Sequence, residues 1–426
     1  GTGSGAEYSL AARRCLDGPV TTVAPMQLRH EVGRCGRSRR WRHIGQFILL
    51  ICIMGFGMVC HSEAAEWSLL PSMGVKGLYN DNLILTAQPH HATYGYWISP
   101  AAEFAGKTER LEVSGRAAAD YVSYYGGEDT QFTNVFLPVT VRYKTEKDLL
   151  GVTGGFIRDN TLMSELLDTG LVLRFTQRNQ LTATPSWTRN ITETLSVQSK
   201  FQFSDNTYED GLSLGLFDYQ LFKGSGGLLY QMTEQDQIQL FGSYSNFYTT
   251  NAPSSLHATF PGMNLSLTHA FTETLTGTVS GGTHFVSSTN QKETVWLYGT
   301  SFVKKFESTS IKVNVGRDIV PSGFGALLQT DRGVVTVSHD LSETLTASLD
   351  GSGYKVSGLT ERASGETISD SLYFFSTPKI AWKFSEWWKL ELSYTYRWRG
   401  GEVPEAMSNS TMFMLTYYPP KLSFSD

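Results

Sequence analysis

The chain has 426 residues, of which 40% are hydrophobic, 12% aromatic and 18% charged, with 41 Gly and a formal net charge of −5. Charge is low against the usual quarter and aromatic content is high, which excludes a disordered chain. Mean hydropathy is −0.20 with one long apolar run, which excludes a polytopic helical membrane protein.

Residues 1–25 carry no pattern and read as an upstream or unstructured extension ahead of Met26. Residues 26–65 read as a secretory signal peptide. Arg34, Arg37, Arg39, Arg40 and Arg42 precede the 13-residue apolar run Phe47–Val59, and Ser62 and Ala64 take the small-residue positions of a cleavage site. A lipoprotein reading through Cys60 lacks the small residue it needs at Val59. This leader holds all four cysteines (Cys15, Cys35, Cys52, Cys60), eight of the 35 Lys+Arg and four of the 40 Asp+Glu. Residues 66–426 therefore carry 27 basic against 36 acidic side chains, a net charge of −9, and no thiol. A disulfide scaffold is excluded, and an acidic chain without a basic patch argues against a nucleic-acid partner.

A short polar unit built on Thr/Ser-Glu or Phe-Glu then recurs, with its glutamates at Glu109, Glu146, Glu193, Glu234, Glu273, Glu307, Glu343 and Glu386, 34 to 47 residues apart. Strict period-two alternation follows most of these units. Leu195, Val197, Phe201 and Phe203 alternate with Ser196, Gln198, Lys200 and Gln202. Leu390, Leu392, Tyr394, Tyr396 and Trp398 alternate with Glu391, Ser393, Thr395, Arg397 and Arg399. Such alternation means strands with one apolar and one polar face. A propeller blade of similar length holds four short strands, whereas here the alternation runs nine to eleven residues unbroken, the length of a membrane-crossing strand.

The expected fold is therefore all-β: one transmembrane antiparallel up-and-down β-barrel over residues 66–426, with lipid outside and water inside. One pair before the first of the eight tight turns (Trp67–Leu85 with Tyr94–Ala105), seven pairs between the turns and one pair after the last (Lys389–Arg399 with Thr411–Tyr418) give 18 strands with both termini periplasmic. Sixteen is the alternative, if Trp67–Leu85 is a luminal tail or one weak pair is not a strand pair. Aromatics near strand ends, such as Tyr121, Tyr143, Trp187, Trp388 and Tyr417, suit two interfacial girdles. Pro419 and Pro420 end the last strand, and the chain end is expected to tuck into the periplasmic mouth.

No catalytic set is visible. His269 and His339 occupy equivalent repeat positions, His284 and Ser287 point to opposite faces of a strand, and His90-His91 reads as a solvated loop. The sequence predicts no enzyme, cofactor or metal. The inward positions predicted to line a pore are Glu112, Arg116, Asp120, Arg142, Lys200, Lys312, Lys379, Glu391, Arg397 and Arg399. Both signs occur, so no strong ion selectivity follows. The apolar segment Asn160–Gln177 is predicted to fold inward as a constriction loop, with Glu165, Asp168 and Arg174 facing the narrowing, because such a loop is unfavourable in water. Leu212–Phe217 is a second, weaker candidate. Phe136, Phe241, Tyr373 and Phe375 are inward aromatics of uncertain phase.

Trp67–Thr86 (WSLLPSMGVKGLYNDNLILT), Lys107–Ala117 (KTERLEVSGRA) and Arg158–Gly170 (RDNTLMSELLDTG) resemble uncharacterised bacterial outer-membrane barrels of the porin type, similar to barrels found near exopolysaccharide gene clusters. The resemblance implies a Gram-negative outer-membrane location reached through the periplasm, and a passive pore for small hydrophilic solutes. Polysaccharide export and a structural or adhesive barrel with a filled lumen are the alternatives. Implied partners are outer-membrane lipid and lipopolysaccharide, the barrel assembly machinery, and a small solute or polysaccharide.

Overall fold

The computed structural model describes residues 66–87, 90–127, 129–166, 175–252, 256–288, 291–361 and 368–425. The leader expected over 1–65 lies outside the described residues. The first strands are β1 (Glu66–Asn80), β2 (Thr93–Lys107), β3 (Leu111–Tyr125), β4 (Thr130–Lys144), β5 (Asp148–Asn160), β6 (Gln177–Asn190) and β7 (Leu195–Tyr208). Next come β8 (Tyr219–Gln231), β9 (Asp236–Thr249), the three-residue β10 (His257–Thr259), β11 (Gly262–Thr272), β12 (Leu275–Ser288), β13 (Lys292–Lys305) and β14 (Thr309–Ser322). The last are β15 (Ala326–Asp340), β16 (Leu345–Gly358), β17 (Ser371–Trp382), β18 (Trp388–Gly401), β19 (Ala406–Tyr417) and β20 (Leu422–Ser425).

Apart from β10 and β20, each strand pairs antiparallel with the next, and β19 pairs back onto β1, closing an 18-strand barrel. Closure leaves no strand of the barrel with a wholly free edge, the condition for a sheet to cross lipid. Tight turns join β2–β3, β4–β5 and so on to β17–β18. They sit at the end of the barrel that also holds Glu66 and β20, and the longer connections lie at the other end.

The recurring Thr/Ser-Glu unit is the tight turn itself. Thr108 Oγ1 accepts from the Leu111 N–H at 3.0 Å, Thr145 Oγ1 from Asp148 at 2.9 Å, Thr192 Oγ1 from Leu195 at 2.9 Å and Thr233 Oγ1 from Asp236 at 3.0 Å. Ser342 Oγ and Ser385 Oγ do the same for Leu345 and Trp388. A hydroxyl three residues ahead of the new strand satisfies a backbone donor that has no ladder partner, the chemistry of an ST-turn.

The closing seam differs from expectation. β19 covers only Met73–Asn80 of β1, and β20 covers Glu66–Leu69. The chain end does not tuck into the mouth. Pro419 and Pro420 interrupt the strand, and the chain then resumes pairing where β1 would otherwise present a bare edge. The spanning strands have 11 to 15 residues rather than nine to eleven. Crossing the hydrocarbon needs only about 9–11 tilted residues, so the ladders run on past the apolar band.

The register sorts every strand into two faces. Val75, Ile98, Val152, Leu240, Leu265, Val279 and Phe302 lie on the outer face, each more than 38% exposed. The inner face carries Ser, Thr, Asn and nearly all the charged side chains of mid-strand. Close strand contact is kept by glycines under aromatic rings. A Cβ on Gly106 would meet the Trp67 ring at 2.4 Å, and one on Gly115 would meet Phe104 at 2.3 Å.

Candidate functional site: the lumen and its inward loops

Starting from the buried inward residues and following the ladders, Glu112, Arg116 and Asp120 on β3, Arg142 on β4, Lys200 on β7, Lys312 on β14, Lys379 on β17, and Glu391, Arg397 and Arg399 on β18 all occupy the inner face. Glu112, for example, is the rung partner of both Lys107 and Arg142. Lys76, Glu103, Asp159, Arg178, Lys223, Asp318, Arg332 and Asp350 share that face and were missed. Their strands do not show the alternation cleanly, and only the register fixes their phase.

Four acids along the inner face sit beside bases. Lys76 Nζ lies 3.8 Å from Asp120, Lys107 Nζ 3.7 Å from Glu112, Arg116 Nε 3.9 Å from Glu103 and Lys389 Nζ 3.1 Å from Glu391. Arg142, Lys200, Lys312, Lys379, Arg397 and Arg399 form no ion pair among the described residues. At the tight-turn end the Glu103, Lys107, Glu112 and Arg116 side chains are more than half exposed, so that mouth is open to solvent. Phe136, Phe241, Tyr373 and Phe375 also point inward, but on three separate wall sectors, so they build no ladder down the bore.

The loop end is packed with apolar side chains. Val122, Phe247, Leu328, Val356 and Tyr373 from the wall meet Leu83, Leu85, Leu162, Leu166, Leu216 and Phe324 from the connections, all nearly inaccessible. Residues 161–166 fold inward and reach across the bore. Glu165 Oε1 accepts from Tyr208 Oη at 2.5 Å and from the Gly323 N–H at 3.1 Å, and Oε2 accepts from Ser322 Oγ at 3.3 Å. Tyr354 Oη donates to the Leu166 carbonyl at 2.8 Å. Glu165 is thus buried in a latch rather than turned to water. Asp168 and Arg174 lie outside the described residues. The Leu212–Phe217 segment also turns in: Phe217 N donates to Gly323 O at 2.6 Å, and Leu216 and Phe217 are buried while Leu212 is exposed.

Two further features brace this end. Arg178 and Asp159, on adjacent strands and nearly fully buried, form a bidentate pair with Nε···Oδ1 at 3.0 Å and Nη2···Oδ2 at 2.7 Å at the base of the inward loop. Leu85 takes φ 52° in the β1–β2 connection. Asn82 holds that turn by accepting from the Thr86 N–H at 3.0 Å and donating to Thr86 O and Met407 O at 2.8 Å. A leucine in the left-handed region costs energy, and here it delivers a fully buried side chain.

Of the histidines, His284 is inward and 3.2 Å from Ser243 Oγ. His269 and His339 lie near the tight turns, bonded to Asp236 and Thr309 at 2.7 Å, and His90 is exposed. Among the described residues no three His, Cys, Asp or Glu are grouped to hold a metal.

No protein-family model and no curated protein sequence matches the chain. Solved structures similar to it include Pseudomonas aeruginosa OccK2 (OpdF), with a TM-score of 0.48 at 10% identity over 84% of this chain and 98% of that one. A BenF-like porin from Pseudomonas fluorescens Pf-5 gives a TM-score of 0.47 at 11% identity over 84% and 99%. Pseudomonas aeruginosa OccK7 (OpdD) gives 0.46 at 10% identity over 83% and 99%.

Proposed function

We propose that the protein is an outer-membrane pore for passive diffusion of small hydrophilic solutes, with the tight turns and both barrel termini on the periplasmic side. One observation carries this reading: 18 closed strands put the apolar side chains on the outside and charged, amide and hydroxyl groups on the inside. That distribution suits lipid around a wet bore and suits no soluble sheet. The ten inner-face residues named above line the bore in this reading, and residues 161–166 form the near side of its narrowing. Reconstitution in planar bilayers tests it. Discrete conductance steps are expected, and their absence with every salt and sugar tried would remove the pore reading.

A second reading, a barrel with a filled lumen, is favoured by the apolar packing at the loop end. The same recording separates the two. A filled barrel stays silent in wild type and conducts only when the latch at Glu165 is broken.

A further inference from the structure

The inner face of the barrel is divided by charge. β1–β4 and β18 carry Lys76, Glu103, Arg116, Asp120, Arg397 and Arg399 inward. Across residues 237–245 of β9, 262–268 of β11, 276–282 of β12 and 297–303 of β13, no inward side chain is charged. Two continuous rungs cross this sector. Gln237, Thr268, Thr278, Ser301 and Asn314 form one, and Gln239, Ser266, Ser280, Gly299 and Gly316 form the next.

Neighbours along these rungs bond to one another. The Thr268 and Thr278 hydroxyls lie 3.0 Å apart, Ser301 Oγ donates to Asn314 Oδ1 at 2.7 Å, and Gln239 Nε2 donates to Gln237 Oε1 at 3.3 Å. An amide offers two donors and a carbonyl with two lone pairs, and a hydroxyl offers one donor and two lone pairs. One bond to a neighbour therefore leaves each group with capacity for a solute. Asn264, on the next rung beside Gly282, adds a further amide.

At the Gly299–Gly316 rung the wall is hollowed. A Cβ on Gly299 would stand 2.6 Å from Ser280 Oγ, and one on Gly316 2.9 Å from the Tyr298 carbonyl, so neither position admits a side chain without displacing a neighbour. A cavity of about 320 Å³ lies there, with Asn264, Thr278, Ser280, Ser301 and Asn314 round its inner side and Leu297 and Val334 as an apolar edge. That volume is at the lower end of the range for small-molecule sites, about 300–1,000 Å³. The charged groups at its rim are committed elsewhere. The Arg332 guanidinium lies 4.7 Å from the Tyr354 ring centroid, Asp318 faces Lys223 and His284, and Arg317 is held by Asp331 on the outer side. Lys312 stands one inward position outside the hollow.

We infer that this hollow is a seat for an uncharged polyol of hexose size, a monosaccharide or its sugar alcohol, on a neutral track separate from the charged wall. The seat deepens the diffusion reading and rests on it for its role. Every hydroxyl of such a solute both donates and accepts. It exchanges water for wall without an unmatched group only where the wall does both. Amides and hydroxyls do, whereas a carboxylate only accepts and an ammonium or guanidinium only donates. The C–H groups of the solute meet Leu297 and Val334. A charged solute gains no counter-charge on the seat and finds one on the β1–β4 and β18 wall.

The test uses the full chain as the cell processes it, purified in dodecylphosphocholine, with D-glucose as the probe and saturation-transfer NMR as the readout. Saturable transfer to the glucose protons is expected, displaced by sorbitol and at least tenfold less well by glucuronate or glucosamine. Asn264→Leu keeps the size of the side chain and removes its amide, and Ser280→Leu fills the hollow. Each is expected to weaken glucose binding more than fivefold, with folding checked by heat-modifiable mobility. Non-saturable transfer in the wild type, displacement by glucuronate equal to or better than by sorbitol, or full binding in both folded variants overturns the seat. Planar-bilayer conductance judges the pore reading separately. Discrete steps without glucose binding remove the seat alone, and glucose binding without conductance removes the diffusion reading alone.

Discussion

Two buried acids do different work at the loop end. Asp159 faces Arg178 with both carboxylate oxygens engaged, so removing the acid strands a guanidinium in a dry site. Breaking one side of such a pair costs about 3–5 kcal/mol, more than the intact pair contributes. Asp159→Asn is therefore expected to lower the temperature at which the folded barrel loses its fast mobility in SDS gels. Unchanged heat modifiability would show that the pair is dispensable. Glu165 instead joins a connection to the far wall through Tyr208, Ser322 and Gly323. Glu165→Ala removes three contacts that hold only the loop. The barrel should melt as before while single-channel current rises or becomes noisy, and identical current traces would mean that the apolar packing of Leu162 and Leu166 holds the loop unaided. Neither role could be read from RDNTLMSELLDTG. An acid in a loop looks solvated until the residues that receive it, more than 40 and 150 positions away, are placed.

At the scale of elements, the turns were legible and the strand ends were not. The Thr/Ser-Glu unit repeats because a hydroxyl must satisfy the donor three residues on, a local requirement that leaves a local mark at Thr108, Thr145, Thr192 and Thr233. Alternation is likewise local where lipid lies outside and water inside, as in β7 and β18. It fails where the inner face turns apolar. Val122 and Tyr124 point inward beside outward Tyr121 and Tyr125, so β3 reads as a plain aromatic run there. The seam was hidden for a different reason: Pro419-Pro420 signals a stop, and resumption at Leu422 depends on Glu66–Leu69 being uncovered. Deleting residues 421–426 exposes that edge. Fewer folded barrels per chain and lower heat resistance are expected, because unpaired backbone groups at a barrel seam are costly. Wild-type yield from the truncated chain would show that the edge is shielded otherwise.

For the whole molecule, net charge misleads about the bore. Residues 66–426 carry −9, yet the acids gather in the turns and outer connections, where Glu109, Glu146, Glu193 and Glu343 are exposed. Inside, Asp120, Glu103, Glu112 and Glu391 each have a base within 4 Å, while Arg142, Lys200, Lys312, Lys379, Arg397 and Arg399 are left over. Mixed signs predict no selectivity from the sequence, but four inner-face acids lie beside bases and the bases of that face outnumber its acids, which leaves a cationic field. Charges lining a low-dielectric passage focus that field on the solute path. In a KCl gradient the reversal potential should therefore have the sign of anion preference. It should shrink as salt rises toward 1 M, where the screening length falls to about 3 Å. Arg397→Ala with Arg399→Ala, both on β18, should move it toward zero without loss of conductance, since shorter side chains widen the bore. A cation-selective wild type, or a double substitution that leaves the potential where it was, would show that the current is set elsewhere in the barrel.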